Sequence, residues 1–476
     1  MKGVTKIVRT INSRKELIDL MNEGKIVPMI GLATIVLALG GTFIDAYDFG
    51  SIGIGVVQLE SLLHLTSTQV GFLTAAMAFG ALFGALVGGR LIDSVGRLQM
   101  FLLDLILFVI GALGAALSIN LYMLISFRVI MGIGVGIDFP VSLSLISEYS
   151  RLKSKGKNVN LWQSMWYIAT TGVYAIAFGM FYDYSLFGLN IWRWVIGFGA
   201  IPAAIIVVLR FKYMGESPLW TFMRGSKEDI QKYLDKMGIK DILLPEKFSS
   251  PHRVKSEYAT LFNKQYRKRT ALSSVIAMEQ SFEYFAVGFY LPIILITLYS
   301  GNYLLGIGAT AILNLGGIVG GTSQSLLTYR VGIRKLALYG LAPAFVLLLI
   351  LGIYGAVIPA LIVAIILGLF VFFHSFGQGS QGMTMGTLSY PTSIRGSGAG
   401  FTQAMIRVGS IIGFFAFPAL KAFIGTDHAI LVISIAPLIA LIVTLLIKWD
   451  PTRMNVDDED IALTSVSEEP TALGGE

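Results

Sequence analysis

The chain is 476 residues long, 55% hydrophobic and only 14% charged, with a mean hydropathy of +0.73. A soluble domain carries nearly twice that share of charge, which excludes a water-soluble globule. The formal charge of +7 sits between apolar runs, where it reports membrane topology and attraction to an anionic leaflet and argues against a nucleic-acid partner, while zero cysteines exclude disulfides and thiol chemistry.

In chain order, residues 1–26 are polar and basic, with no cleavable signal; they read as a cytoplasmic amphipathic arm lying on the membrane surface. About twelve apolar runs of roughly 20 residues follow, the length that crosses a bilayer as a helix. The first six spans are Val27–Gln58, Gln69–Arg90, Leu98–Ser118, Leu121–Ile146, Asn160–Tyr182 and Ile191–Phe211. The second six are Ala271–Tyr299, Leu304–Leu327, Lys335–Tyr354, Ile358–Phe376, Gly396–Phe423 and Ala429–Ile447. Residues 27–211 and 270–449 are thus two six-helix bundles, joined by a polar cytoplasmic linker over 212–269 and followed by an acidic tail over 450–476, expected to be disordered. Lys and Arg concentrate in the arm and in the loop holding Arg151, Lys153, Lys155 and Lys157, which places both termini in the cytoplasm and the chain in the plasma membrane. An echo between the halves pairs Gly156 with Gly396, Gln163 with Gln403 and Met165 with Met405, each 240 residues apart.

Between the second and third spans, GRLIDSVGR (Gly89–Arg97) resembles the Gly-x-x-x-Asp-x-x-Gly-Arg signature of the major facilitator superfamily. The resemblance implies an all-α membrane protein, two pseudo-symmetric bundles and transport by alternating access. A network of Gly89, Asp93, Gly96, Arg97, Glu148 and Arg151 is then expected to form a cytoplasmic gate, with Asp93 accepting hydrogen bonds from arginines or a helix N-terminus. Ser325–Lys335 falls where a second copy of the signature belongs, with Tyr329 and Ile333 replacing its aspartate and arginine.

Charges inside membrane helices cost about 2.5–3.5 kcal/mol each and need a partner or an aqueous cavity. Asp45 and Asp48 lie three residues apart near the middle of the first span, and Arg128 and Asp138 lie in the fourth. We expect Asp45 or Asp48 to pair with Arg128, and these acids with Asp138 to carry coupling protons. IDAYD and GIGVGIDFPVSLSLISEY resemble motifs of phosphate:proton symporters, which implies the same proton roles for Asp45, Asp48 and Asp138, although most phosphate ligands of that family are replaced here. YPTSIRGSGAGF and IRVGSIIG resemble aromatic-acid:proton symporters, which implies that Arg407 handles a substrate carboxylate. GESPLW and EQSFEYFAVGFYLP resemble sugar porters without their Gly-Ile-Asn.

The leading expectation is proton-coupled import of a small organic anion, with sugar:proton or phosphate:proton symport as the alternative and a proton-antiporting exporter or transporter-like sensor behind. Gln163, Trp166, Gln280, Tyr284, Gln378, Gln381 and Arg407 are the expected substrate ligands. Arg407 could instead pair with Glu283, and His374 reads as a residue at a cytoplasmic helix end. No metal cluster, nucleophile motif or phosphate loop is found, so an enzyme is not expected. No cofactor beyond the proton is expected; the partners are a solute and the lipid bilayer, and a monomer suffices for function.

Overall fold

The computed structural model describes residues 9–23, 25, 31–236, 239, 242–245 and 258–459. The first bundle contains α2 (Gly31–Leu63), α3 (Ser67–Val95), α4 (Arg97–Ala116), α5 (Leu121–Glu148), α6 (Leu152–Tyr182), the single turn α7 (Tyr184–Phe187), and a sixth span broken into α8 (Ile191–Phe198) and α9 (Ala200–Tyr213); α1 (Arg14–Asn22) precedes it. The linker holds α10 (Pro218–Arg224) and α11 (Lys227–Lys236). The second bundle contains α12 (Arg267–Glu283), a π-helical turn (Tyr284–Gly288), α13 (Leu291–Leu298), α14 (Tyr303–Val331), α15 (Ile333–Tyr354), α16 (Ala360–Phe376), α17 (Gln378–Leu388), α18 (Arg395–Ile433) and α19 (Ile435–Leu446).

Among the described residues, ten helical stretches are long and apolar enough to cross a membrane. One of them, Arg395–Leu446, is 52 residues long and broken by Gly425 at φ 81°, a conformation that ends a helix, and so accommodates two crossings. The remaining span is α6, whose first turns carry Lys153, Lys155 and Lys157 and whose buried face carries Asn160, Gln163, Ser164 and Thr170. It starts eight residues before the sequence suggests because those polar residues depress the local hydropathy. The outward surface is apolar, with Leu32, Phe83, Ile110, Val208 and Phe423 exposed, as lipid contact requires. Turns on the face away from the termini are closed by helix caps at Thr66, Asn120 and Asn302.

The internal repeat is visible in the backbone. Gly96 and Gly332 both take positive φ (113° and 96°) immediately before a helix, and in each case a carboxylate caps the new N-terminus. Glu216 accepts from the Arg97 and Leu98 amides at 2.9 and 3.2 Å, and Asp450 accepts from the Arg334 amide at 3.1 Å. Gln163 on α6 and Gln403 on α18 occupy equivalent places in the centre.

Two terminal expectations are corrected. The arm does not present its apolar face to a membrane: Ile11, Leu17, Ile18 and Met21 pack against Leu219, Phe222, Ile230 and Leu234 of the linker, and β1 (Arg9–Thr10) pairs in parallel with β2 (Ile242–Leu243). The apolar stripe of α1 is therefore satisfied by protein. Of the acidic tail, residues 450–459 are ordered by ion pairs: Glu459 meets Arg269 at 2.9 Å, and Asp457 meets Arg395 at 2.6 Å and Lys155 at 3.2 Å. Lys2 and Lys6 of the arm, residues 246–257 of the linker and 460–476 of the tail lie outside the described residues.

Candidate functional site: a central cavity between two charged networks

Besides Asp93 and Glu148 on the terminal face, four carboxylates are buried in the first bundle, Asp45, Asp48, Asp104 and Asp138, and their partners follow from which helix faces meet. Asp48 on α2 pairs with Arg128 on α5 at 3.2 Å, which selects between the two acids expected to do so. Asp138, also on α5, pairs instead with Arg210 of α9 at 3.0 Å, and Arg210 also holds Asp104 of α4 at 2.9 Å and the Phe101 carbonyl at 2.6 Å. Neither Arg210 nor Asp104 figured among the expected site residues. Arg210 sits where the sixth apolar run gives way to RFKY and reads as a boundary charge, whereas Asp104 inside LLDLIL carried a legible signal, a lone acid within a span. Replacing Arg210 by glutamine would leave Asp104 and Asp138 buried without their cation. The expected loss is about 3–5 kcal/mol, read as a lower unfolding midpoint, and lysine should not restore it because it cannot fork between two carboxylates and a carbonyl.

Asp45 differs from the other three. It lies among Asp138, Arg407, Arg210 and Asp48 without a salt bridge of its own, and its Oδ2 has no hydrogen-bond partner. Arg407, reaching in from α18 of the second bundle, is equally buried and among the described residues has no carboxylate within salt-bridge distance. Its guanidinium sits over the rings of Phe49 and Phe139, and Gln403, its amide oxygen turned inward, accepts from Nη2 at 2.6 Å. These four acids are therefore buried with Arg128 and Arg210 as their cations within the bundle, and Arg407 lies within electrostatic reach of Asp45 across the bundle boundary.

Arg407 lines a cavity at that boundary. Gln163, Gln280 and Gln403 line it with amides, Phe139, Trp162, Trp166, Tyr284 and Phe285 with aromatic rings, and His374 also lines it. Only about 20 Å³ is free to the centre of a water-sized sphere. Ligand pockets span about 300–1,000 Å³, so the cavity is occluded and side chains must move to admit a solute. The two aromatic residues expected as ligands meet each other: Trp166 Nε1 donates to the Tyr284 hydroxyl at 2.9 Å, from one bundle to the other. Gln378 and Gln381 are not on the cavity wall. Gln378 donates to Glu283 at 2.7 Å, and Gln381 donates to Gln324 at 2.8 Å in a polar seam with Asn160 and Thr328, between α6 and α14. Their helix, α17, turns away after the break at Gly377. His374 is not at a helix end facing water either; it is buried and its Nδ1 lies 2.7 Å from Glu283, which removes Glu283 as a partner for Arg407.

The cavity is closed differently on its two sides. Toward the termini, Arg97 donates to Glu148 at 3.0 Å, Arg395 donates to the same carboxylate at 3.2 Å, and Ser217 also donates to it. Asp93 accepts from the amides of Gly396 and Ser397 at 3.0 and 2.9 Å, capping α18 across the bundle boundary. Gly89 allows this approach: a Cβ there would lie 2.7 Å from the Gly400 Cα. Five of the six expected gate residues thus share one network, and the sixth, Arg151, is exposed beyond it. Arg395 and Asp457 complete it. Burial pushes the Asp457 carboxyl up, but Arg395, Lys155 and the Thr392 hydroxyl outweigh it and hold the group below the usual carboxylate range. A depressed folded value contributes stability above the unfolded value and loses it as pH falls through the folded one. This clamp should therefore hold across the physiological range, and Asp457→Asn should loosen the network throughout it, read as faster amide exchange in residues 450–459 than in the parent at the same pH, a difference that shrinks only in strong acid. On the other side the closure is a thin aromatic layer of Phe49, Phe285, Phe289 and Phe414, above which a vestibule of about 320 Å³ lies between the bundles, lined by Glu60, Tyr290 and Lys421 among others.

With this geometry established, comparison with known proteins decides the family. The model of the family described as sugar (and other) transporter matches residues 33–449. The chain belongs to that family. It is a membrane transporter with the major facilitator fold, and relatives and fold are those of transporters and not of enzymes. It is 27% identical over 400 residues to the putative metabolite transport protein YaaU of Escherichia coli, covering 82% of this chain and 86% of that one. The glucose transporter GlcP of Staphylococcus epidermidis is 25% identical, over 90% of this chain and 96% of its own. The proton:xylose symporter XylE bound to 6-bromo-6-deoxy-D-glucose superposes with a TM-score of 0.76 at 18% identity, covering 90% of this chain and 98% of that one. Against the inward open conformation of XylE the TM-score is 0.67 at 17% identity.

Proposed function

We propose that this family member is a proton-coupled symporter of a sugar or related polyol, with both termini in the cytoplasm of a cell whose plasma membrane it spans. In that orientation the sealed face is the inner one, and the vestibule opens outward. The observation that carries the reading is that Arg407, on the wall of the solute cavity, and Asp45, buried behind it within electrostatic reach, have no salt bridge of their own among the described residues. While Asp45 is ionised it attracts Arg407; a proton on Asp45 frees the guanidinium to donate to an incoming solute, so proton and solute are favoured together. The Asp48–Arg128 pair beside it offers a second place where protonation would break a buried bridge. The glutamine wall supplies donors and acceptors for hydroxyl groups, and the aromatic wall suits the apolar faces of a sugar ring. Among the relatives, the transporters named for glucose and xylose support this solute class.

A second reading, a small organic anion as solute, rests on Arg407 itself, whose fork suits a carboxylate and which has no salt bridge to satisfy it. Thermal unfolding of the purified protein against sugars, polyols and organic acids at two pH values separates them, because a ligand of the native state raises the midpoint. Stabilisation by a sugar or polyol is expected. Stabilisation by organic acids alone, lost in Arg407→Gln, would replace the sugar with the anion.

A further inference from the structure

The second bundle buries an acidic cluster of its own, apart from the aspartates of the first. Glu279 and Glu283 are one turn apart on α12 with their carboxyl groups facing each other, and both are buried. Glu283 Oε1 receives the Gln378 amide at 2.7 Å and lies 2.7 Å from His374 Nδ1. Neither oxygen of Glu279 has a hydrogen-bond donor. Among the described residues no lysine or arginine forms an ion pair with either glutamate; the groups facing the cluster are Tyr284 on the π turn, Tyr167 on α6 and, across the cavity, Arg407. Two carboxylates and a neutral imidazole would bury two uncompensated negative charges, at about 2.5–3.5 kcal/mol each on insertion scales. A proton held between the two glutamates and another on His374 makes the cluster neutral and gives each carboxylate oxygen facing Glu283 or His374 a donor.

The location adds a mechanical argument. Glu283 is the last residue of α12 before the π turn, and His374 and Gln378 flank the break at Gly377 between α16 and α17. The cluster therefore ties together two interrupted helices, and interrupted helices are where transporters bend and bind. His374 also lines the solute cavity and stacks on Tyr284, 5.4 Å between centroids. The geometry points to a second proton-binding site, Glu279–Glu283–His374, separate from the aspartates of the first bundle and built into the moving elements of the second. Water entering from the inner side would take the protons from Glu279 and His374, leaving two repelling carboxylates that push α12 and α16 apart. This rests on the chain being proton-coupled but not on the identity of the solute.

Infrared difference spectroscopy of the lipid-reconstituted, solute-free protein, stepped from acid to alkaline pH, reads protonated carboxyl groups directly. Two populations of buried carboxyl are expected: one lost in Asp45→Asn or Asp48→Asn, the other lost in Glu279→Gln or Glu283→Gln. His374→Gln should move the midpoint of the glutamate population alone; a merely structural role would move both or neither. Chain grown with isotope-labelled glutamate separates the populations without any substitution, which covers variants that fail to fold. A spectrum in which no glutamate titrates outside the range of exposed carboxyls would overturn the second site, whereas loss of the aspartate population alone would overturn the first-bundle coupling and leave this site standing.

Discussion

Asp45→Asn is expected to fold like the parent and to lose proton-driven accumulation altogether. Asp45 forms no salt bridge among the described residues, so neutralising it breaks none, and Arg407 keeps its contacts with Gln403, Phe49 and Phe139; loss of Asp48, by contrast, would leave Arg128 buried alone. The consequence for transport is large. One coupled charge moving through a potential of about 100 mV supplies about 2.3 kcal/mol, equivalent to an inward gradient of about 50-fold. In proteoliposomes under an imposed potential the variant should equilibrate solute at a ratio near unity, with counterflow exchange retained, while the parent concentrates it. A variant that still accumulates solute, with its pH dependence intact, would remove Asp45 from the coupling.

The second large effect concerns the inner seal. Glu148 accepts from Arg97, Arg395 and Ser217, so it binds α4, α18 and the entry to α10 into one knot at the bundle boundary. In Glu148→Gln two arginines lose their shared anion. The sealed state should be penalised by about 3–5 kcal/mol, more than the few kcal/mol that separate alternating states, so the inward-open population should come to dominate. The absence of cysteine makes this measurable on a clean background. A single cysteine at Thr328, buried in the seam between α14 and α6, should be alkylated from the inner side slowly in the parent and at least about tenfold faster in the Glu148 variant, since each 1.4 kcal/mol is a factor of ten. Equal rates would mean that the seal is held elsewhere.

The sequence made legible what depends on local pattern. Runs of apolar residues located the spans, a signature nonapeptide identified the superfamily and the sealed face, and isolated charges within spans pointed to Asp45, Asp48, Arg128 and Asp138. What it concealed depends on distance. The partner of Asp138 lies on α9, at a position where hydropathy alone ends a helix, and the Glu283–His374 contact joins residues 91 apart with no shared periodicity. Gln378 and Gln381 were misjudged because the break at Gly377 redirects the tenth span, a change of direction that composition does not encode. Residues 450–459 of the tail depart from expectation for the opposite reason: acidic composition describes a solvated segment, yet Asp457 finds Arg395 and Lys155 and Glu459 finds Arg269. Arg407 read from the sequence alone favours an anionic solute, because nothing in the local pattern reveals that the fold brings Asp45 within electrostatic reach of it. The sugar-transporter family and its relatives favour the alternative.

Proton movement during solute entry is the decisive readout of coupling. Proteoliposomes in weakly buffered medium, given glucose or xylose or whichever sugar or polyol stabilises the protein, should alkalinise the outside as solute enters. The signal should vanish in Asp45→Asn while solute still equilibrates. Entry of solute into parent proteoliposomes with no change in external pH would contradict the proposal that buried carboxylates couple this transporter to protons.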